Sequence, residues 1–387
     1  MQMGSVPSRV RGSMEYIETE SELEIAVPRL QGERLIAVDT EAAGFHRYED
    51  RVCLLQLSTR TDTLVIDTLS LGDLADLGPL LSDPGVEVVF HDANYDLRLL
   101  HRDFGFRVRG VFDTKIAAQF LGERAFGLAS LVEKHLGHRL SKAYQRADWA
   151  RRPLPPEMLQ YAAGDTVHLP ELRDALREGL EEIGRLHWAE EEFRLEEDVR
   201  WVPPEDPGAA YLRLKRTHDL RPRQLAALRE LYEWREGIAR ARDLAPFRVL
   251  TNDVLVELAR RMPRGLDGIV GIQGAPRNLP DRYGGEILAA VRRARELDED
   301  ELPVRRMGPR RPPPDPEFDE LVDELRGIRD RVAEELGLDR GFLMPRSQLE
   351  VLARNRPGSL EEFVALPGFR RWQAEAIGEE LVGVISS

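Results

Sequence analysis

Leu35-Ile-Ala-Val-Asp-Thr-Glu41 sets four apolar residues directly before an acid, a hydroxyl and a second acid. A run this short has the length of a strand. Residues i and i+2 of a strand point to the same side, so Asp39 and Glu41 can face one site at its end. Three further runs of the same kind follow: Val52-Cys-Leu-Leu-Gln-Leu57, Thr63-Leu-Val-Ile-Asp67 and Val86-Glu-Val-Val-Phe90. The first three of the four lie close together in sequence, as an antiparallel meander would. Helical periodicity comes next, at 95–104, 115–121, 128–136 and 156–182, so the N-terminal half is expected to be a mixed α/β domain.

Beyond Gly208 the strand pattern stops. Two proline-rich joints, 202–208 and 303–316, are expected to be stiff linkers. The residues that follow each joint repeat. Leu255-Val-Glu-Leu-Ala-Arg260, with Pro263, Leu266 and Ile272, matches Leu349-Glu-Val-Leu-Ala-Arg354, with Pro357, Leu360 and Leu366, at a constant offset of 94 residues. A long amphipathic helix precedes each copy, at 224–241 and 319–336. Two copies are too few for a solenoid and are expected to form two separate all-α bundles. The expected division is a disordered N-terminus or tag over 1–13, with Met14 as the natural start, and a mixed α/β domain over 14–205. A first helical domain over 211–297, a Pro/Arg-rich linker over 298–315 and a second helical domain over 316–387 complete it.

The 387 residues suffice for two or three domains that bury their own cores. No run approaches the roughly 18 apolar residues of a membrane span, and no secretory signal opens the chain. Cys53 is the only cysteine, which excludes a disulfide framework or a multi-cysteine zinc site and points to the cytoplasm. The formal net charge of −14 disfavours a polyanionic partner on average, but it divides as −14 over 1–210, +8 over 211–295 and −7 over 315–387. The basic segment is the expected place for phosphate contacts, with Arg221, Arg223, Arg229, Arg235, Arg240 and Arg242 along or beside one helix. The acidic C-terminal segment is expected to pack on another domain or to shape the substrate path.

The residues that carry chemistry are four scattered carboxylates and a tyrosine. Asp39 and Glu41 end the first strand, and Asp96 falls in the first turns of a helix just after Phe90. Tyr161 and Asp165 are four apart on a helix and share a face. Carboxylate oxygens without cysteine suit hard cations such as Mg²⁺ or Mn²⁺. Two such ions about 3.5–4 Å apart can activate water and stabilise the leaving oxygen of a phosphodiester. Singly, each feature is ordinary; their order and spacing together point to a site.

Val38-Asp-Thr-Glu41, Phe90-His-Asp-Ala-Asn-Tyr-Asp96 and Tyr161-Ala-Ala-Gly-Asp165 resemble the three motifs of DEDD-type 3′→5′ exonucleases of the tyrosine subclass. Phe112-Asp-Thr-Lys-Ile-Ala-Ala118 and Ala147-Asp-Trp-Ala-Arg-Arg-Pro-Leu154 narrow the resemblance to ribonuclease D and the nuclear exosome exonuclease, and the repeated module resembles the HRDC domain. The resemblance implies a ribonuclease-H-like exonuclease fold, a mixed sheet flanked by helices, followed by two HRDC-like bundles. It implies that Asp39, Glu41, Asp96 and Asp165 ligate two divalent ions, Mg²⁺ or Mn²⁺. Tyr161 would orient, or help deprotonate, the water that attacks the 3′-terminal phosphodiester, releasing nucleoside 5′-monophosphates. The implied partner is RNA with an accessible 3′ end, such as a tRNA precursor, with no membrane and no obligate protein partner. A DNA exonuclease of the same chemistry and a catalytically silent nucleic-acid-binding scaffold are the alternatives.

Thr40, His91, Asn94, Trp149 and Arg152 stand beside these motifs as candidate substrate contacts. His91 equally suits a strand-end histidine satisfied by backbone, Asn94 a turn closure and Trp149 a packing anchor. Asp113 is expected to be a turn or cap. Tyr232 and Trp234 could stack on bases, with at least one expected in the core.

Overall fold

The strand that opens the sequence argument lies inside a six-stranded sheet in this computed structural model, which describes residues 13–304 and 315–386. The expected N-terminal tag, apart from Ser13, and residues 305–314 of the expected linker lie outside the described residues. The strands are β1 (Ser13–Ile17), β2 (Leu35–Ala42), β3 (Val52–Ser58), β4 (Asp62–Asp67), β5 (Glu87–Phe90) and β6 (Val111–Asp113), in the order β1-β4-β3-β2-β5-β6. β3 and β4 pair antiparallel with Ser58 opposite Thr63, whereas β1 runs parallel to β4, β2 to β5 and β5 to β6. The sheet is therefore mixed. The short β1 and β6 carry no long apolar run, and sequence reading passed over both.

Alternation along β2 sorts its side chains between two cores. Ile36 and Val38 join Leu55, Leu57, Val88 and Phe90 beneath α1 (Glu20–Leu30), α2 (Leu77–Ser82) and α3 (Asn94–Phe104). Leu35 and Ala37 face the opposite core. That core gathers α4 (Thr114–Phe120), α5 (Leu128–Leu136), α7 (Leu169–Glu182) and α8 (Leu186–Glu196); α6 (Pro156–Thr166) precedes α7. Asp39 and Glu41 continue the Leu35–Ala37 side, and Thr40 continues the Ile36–Val38 side, toward α3.

Two compact units make up the described chain. The second consists of Ala42–Arg51 and the residues from Val202 on, up to the second joint; the first takes everything else, including the C-terminal segment. In the second unit α9 (Pro222–Ala241), α10 (Pro246–Val249), α11 (Asn252–Arg261) and α12 (Leu279–Glu296) surround one core. The Ala42–Arg51 loop belongs to it through Tyr48, which lies 5.2 Å from the Arg240 guanidinium and whose N–H donates to Asp243 at 3.2 Å.

The C-terminal repeat, α13 (Pro316–Leu336), α14 (Arg340–Leu343), α15 (Arg346–Asn355) and the short helices after them, packs on the catalytic sheet's own helices. Phe120 of α4 has its ring centroid 4.8 Å from Phe342, 4.9 Å from Trp372 and 6.2 Å from Trp188. Glu192 accepts the Trp372 indole N–H at 2.7 Å, and Glu191 accepts the backbone N–H groups of Arg371 and Trp372, each at 2.9 Å. The acidic segment thus packs on the N-terminal α/β domain, as its charge led us to expect.

Two of the six arginines expected to meet phosphate are structural instead. Arg235 is 3% exposed and donates to the Leu250 carbonyl at 3.2 Å and to Asn252 Oδ1 at 2.6 Å. Its counterpart 94 residues on, Arg329, donates in the same way to the Met344 carbonyl. Arg223 donates to the carbonyls of Arg295 and Leu297, both at 2.9 Å, and so caps the end of α12. Tyr232 and Trp234 both pack against the core, Trp234 edge-on to Tyr283 at 5.4 Å.

Candidate active site

At the end of β2 the ligand atoms of Asp39, Glu41 and Asp165 lie within 4.8 Å of one another. Asp165 arrives there because α6 is fastened beside the β3–β4 hairpin by a buried hydroxyl chain. Ser58 Oγ lies 2.7 Å from Thr166 Oγ1 and 2.8 Å from Thr63 Oγ1. Tyr161, one turn earlier, presents its hydroxyl to the Asp165 carboxylate. Asp96, buried in the first turn of α3, lies outside that three-residue group but close enough to repel Asp39 and Glu41, and it accepts a hydrogen bond from the Thr40 hydroxyl.

The electrostatics are those of an acidic cluster short of counter-charge. Burial first, then repulsion from Asp96, Asp165 and Glu41, holds Asp39 well above the ordinary carboxylate range; burial, then Asp165 and Asp96, does so for Glu41. Burial pushes Asp96 and Asp165 up to about 7. Among the described residues no lysine or arginine ion-pairs with any of the four. An all-oxygen donor set with surplus negative charge fits hard divalent cations, and proton or cation uptake is its route to neutrality.

The surrounding candidates divide. His91 borders a cavity of about 270 Å³ with Ser130, Lys142, Gln145, Tyr161 and Asp165. Its Nδ1 lies 2.9 Å from Thr114 Oγ1, whose own proton goes to the Phe90 carbonyl at 2.9 Å. Nδ1 is therefore the donor, leaving Nε2 as an acceptor. Asn94 donates to Glu196 at 3.3 Å and accepts from Arg98 within α3, so it serves the helix start. Asp113 takes the N–H groups of Lys115 at 2.7 Å and Ala93 at 2.7 Å, capping α4 and bracing the turn into α3.

Three candidates have their side chains engaged within the protein. Thr40 is 8% exposed and its hydroxyl is committed to Asp96, so it positions a carboxylate. Trp149 is 2% exposed and packs 6.0 Å from the Tyr161 ring, as a packing anchor does. Arg152 spends its guanidinium on the protein. It donates to both oxygens of Asp67 at 2.6 and 2.5 Å, and to the carbonyls of Trp149 at 2.7 Å and Cys53 at 3.1 Å. It fixes the segment that leads into α6. Sequence reading missed Ser130, Lys142 and Gln145, which reach the cavity from α5 and the loop after it and carry no motif of their own.

A 3′-5′ exonuclease family model matches residues 14–181, and the HRDC domain model matches twice, at 224–291 and 318–385. Ribonuclease D of Gluconacetobacter diazotrophicus is 33% identical over 95% of this chain and 92% of that protein. The crystal structure of Escherichia coli RNase D, an exoribonuclease involved in structured RNA processing, superposes with a TM-score of 0.70 at 29% identity, covering 97% of this chain and 99% of that one. A protein from Bifidobacterium adolescentis superposes with a TM-score of 0.81 at 25% identity over 98% of both chains. With the exonuclease domain and the doubled helical module both matched, and relatives that run nearly end to end with it, the chain belongs to the ribonuclease D family.

Proposed function

We propose that the chain is a metal-dependent 3′→5′ exoribonuclease that removes nucleoside 5′-monophosphates from RNA, with tRNA precursors as natural substrates and the cytoplasm as its place of work. The reading assigns hydrolysis to an exonuclease domain over 14–205 and substrate handling to HRDC-like domains over 211–297 and 316–387. The observation that carries it is the cluster of Asp39, Glu41 and Asp165 within 4.8 Å, beside a cavity sized for a terminal nucleotide.

Asp39, Glu41, Asp96 and Asp165 are the residues that would hold two divalent ions, Mg²⁺ or Mn²⁺. When bound, such ions lower the pKa of water and offset charge on the phosphodiester. The rest of the chemistry belongs to the chain. In the metal-free site burial and the neighbouring carboxylates raise the Tyr161 hydroxyl far above its ordinary pKa; with the carboxylates neutralised by bound ions, it would orient, or help deprotonate, the attacking water. Among the described residues Lys142 ion-pairs with no carboxylate, leaving its ammonium for a phosphate at the cavity. His91 Nε2 is an acceptor suited to a hydroxyl of the terminal sugar. Asp67 and Arg152 act at a distance by holding the start of α6.

The test is a labelled tRNA precursor with a 3′ trailer, incubated with Mg²⁺, Mn²⁺ or a chelator, beside single-stranded RNA and DNA of one sequence. Metal-dependent, stepwise release of mononucleotides from RNA supports the proposal. Preference for DNA would replace the substrate, and binding without release would leave only a scaffold.

A further inference from the structure

We propose that His138, His168 and Glu171 form a second metal site, separate from the carboxylate cluster, that takes a borderline divalent cation of the zinc class. Their ligand atoms, two imidazole nitrogens and one carboxylate oxygen, lie within 4.8 Å of one another. The imidazole rings stack at 4.8 Å between centroids with 23° between their planes. Tetrahedral zinc with ligand distances of about 2.0–2.1 Å needs its donors roughly 3.3 Å apart. Side-chain rotation closes that gap and leaves a fourth position for water.

Local structure aims the three groups together. His168 is the N-cap of α7 and its side chain makes no capping bond, while Glu171 is the third residue of that helix. Spaced by three at a helix start, the two face the same side. His138 follows Gly137, whose left-handed φ of 72° ends α5 and turns the chain.

The donor chemistry separates this site from the catalytic one. Imidazole nitrogen selects zinc-like ions, whereas a set made of carboxylates alone suits magnesium or manganese. Its position gives it a consequence. Leu140, Ser141 and Lys142, just after His138, line the cavity with Tyr161 and Asp165, and His168 lies three residues past Asp165. A bound ion would tie the cavity's loop wall to the junction between α6 and α7.

Calorimetric titration of Zn²⁺ into the full chain, in excess Mg²⁺, tests this with wild type, Asp39→Asn, His138→Ala and His168→Ala. The expected result is one Zn²⁺ per chain in wild type and in Asp39→Asn. Affinity should fall about 100-fold or more in each histidine variant, beyond the usual effect of outer-shell changes. Zn²⁺ should also raise the melting temperature of wild type and not of His138→Gln, whose metal-free melting temperature should match wild type and so show a folded chain. Zinc binding lost in Asp39→Asn, unchanged in both histidine variants, or missing in wild type would overturn the proposal.

Discussion

Replacing Arg152 by alanine should cost the catalytic unit about 3 kcal/mol of stability while leaving substrate affinity alone. The Asp67 side chain is 1% exposed and that of Arg152 25%, so the pair is largely out of water. Removing one partner of a buried ion pair costs about 3–5 kcal/mol because the other charge is stranded. Asp67 would keep the Tyr16 hydroxyl at 2.6 Å, the Ser70 hydroxyl at 3.0 Å and the Leu69 N–H at 3.0 Å, which places the loss at the lower end. A loss of about 3 kcal/mol shifts the unfolding equilibrium by roughly two powers of ten. Burial alone would raise the pKa of Asp67, but Arg152 and Tyr16 outweigh it, and the carboxyl sits below its ordinary value of 3.8. A depressed carboxylate contributes stability above its unfolded pKa and loses it as pH falls through the folded one. The gap between wild type and variant should therefore hold at neutral pH and shrink below about pH 4. Urea unfolding followed by tryptophan fluorescence, with Trp149 and Trp188 as reporters in this unit, measures it. A loss under about 1 kcal/mol with a raised KM for RNA would return Arg152 to the substrate and refute the assignment.

Asp39→Asn or Asp165→Asn should abolish hydrolysis and leave RNA binding nearly intact, as gel-shift and release assays on the same preparation would show. Tyr161→Phe should slow release by roughly 10²–10⁴ while metal binding survives, and an unchanged rate at saturating metal would make the tyrosine structural. Because Asp96 and Asp165 sit near 7 when metal-free, well above the values of unfolded carboxylates, their contribution to stability is present in acid and lost as pH rises through 7. Chelator-treated protein should thus melt lower at pH 8 than at pH 6, and Mg²⁺ or Mn²⁺ should remove the difference. Arg235→Glu should unfold the second unit, whereas reversing the exposed Arg221 and Arg242 should weaken RNA binding, and its log–log salt slope should drop by roughly 0.7 for every phosphate the protein no longer neutralises.

The carboxylates were legible in the sequence because their chemistry demands particular residues at particular element ends. Their neighbours were not, because threonine, tryptophan and arginine serve substrate and scaffold equally well. Thr40 carried a usable signal: lying between Asp39 and Glu41 on one strand, it had to point away from both. Arg235 carried another. It falls on the apolar stripe of Leu228, Leu231 and Ala239, and the 94-residue offset places Arg329 on the equivalent stripe of Leu325 and Val332, so the repeat marks both as core. β1, by contrast, owes its place to pairing with β4, which no local pattern in Ser-Met-Glu-Tyr-Ile encodes. Nor does composition distinguish Lys142 from any other loop lysine; only tertiary packing brings its loop to Tyr161.

The first unit is interrupted in sequence and completed only after the second. Phe342 and Trp372, which cover Phe120 and Trp188, leave the ribosome after all the exonuclease motifs and the whole second unit have emerged. Until then Phe120 and Trp188 lack that aromatic cover, the kind of transient surface that chaperones hold and proteases find. A message cut short at the second joint would encode Asp39, Glu41, Asp96 and Asp165 and still yield a poorly guarded protein.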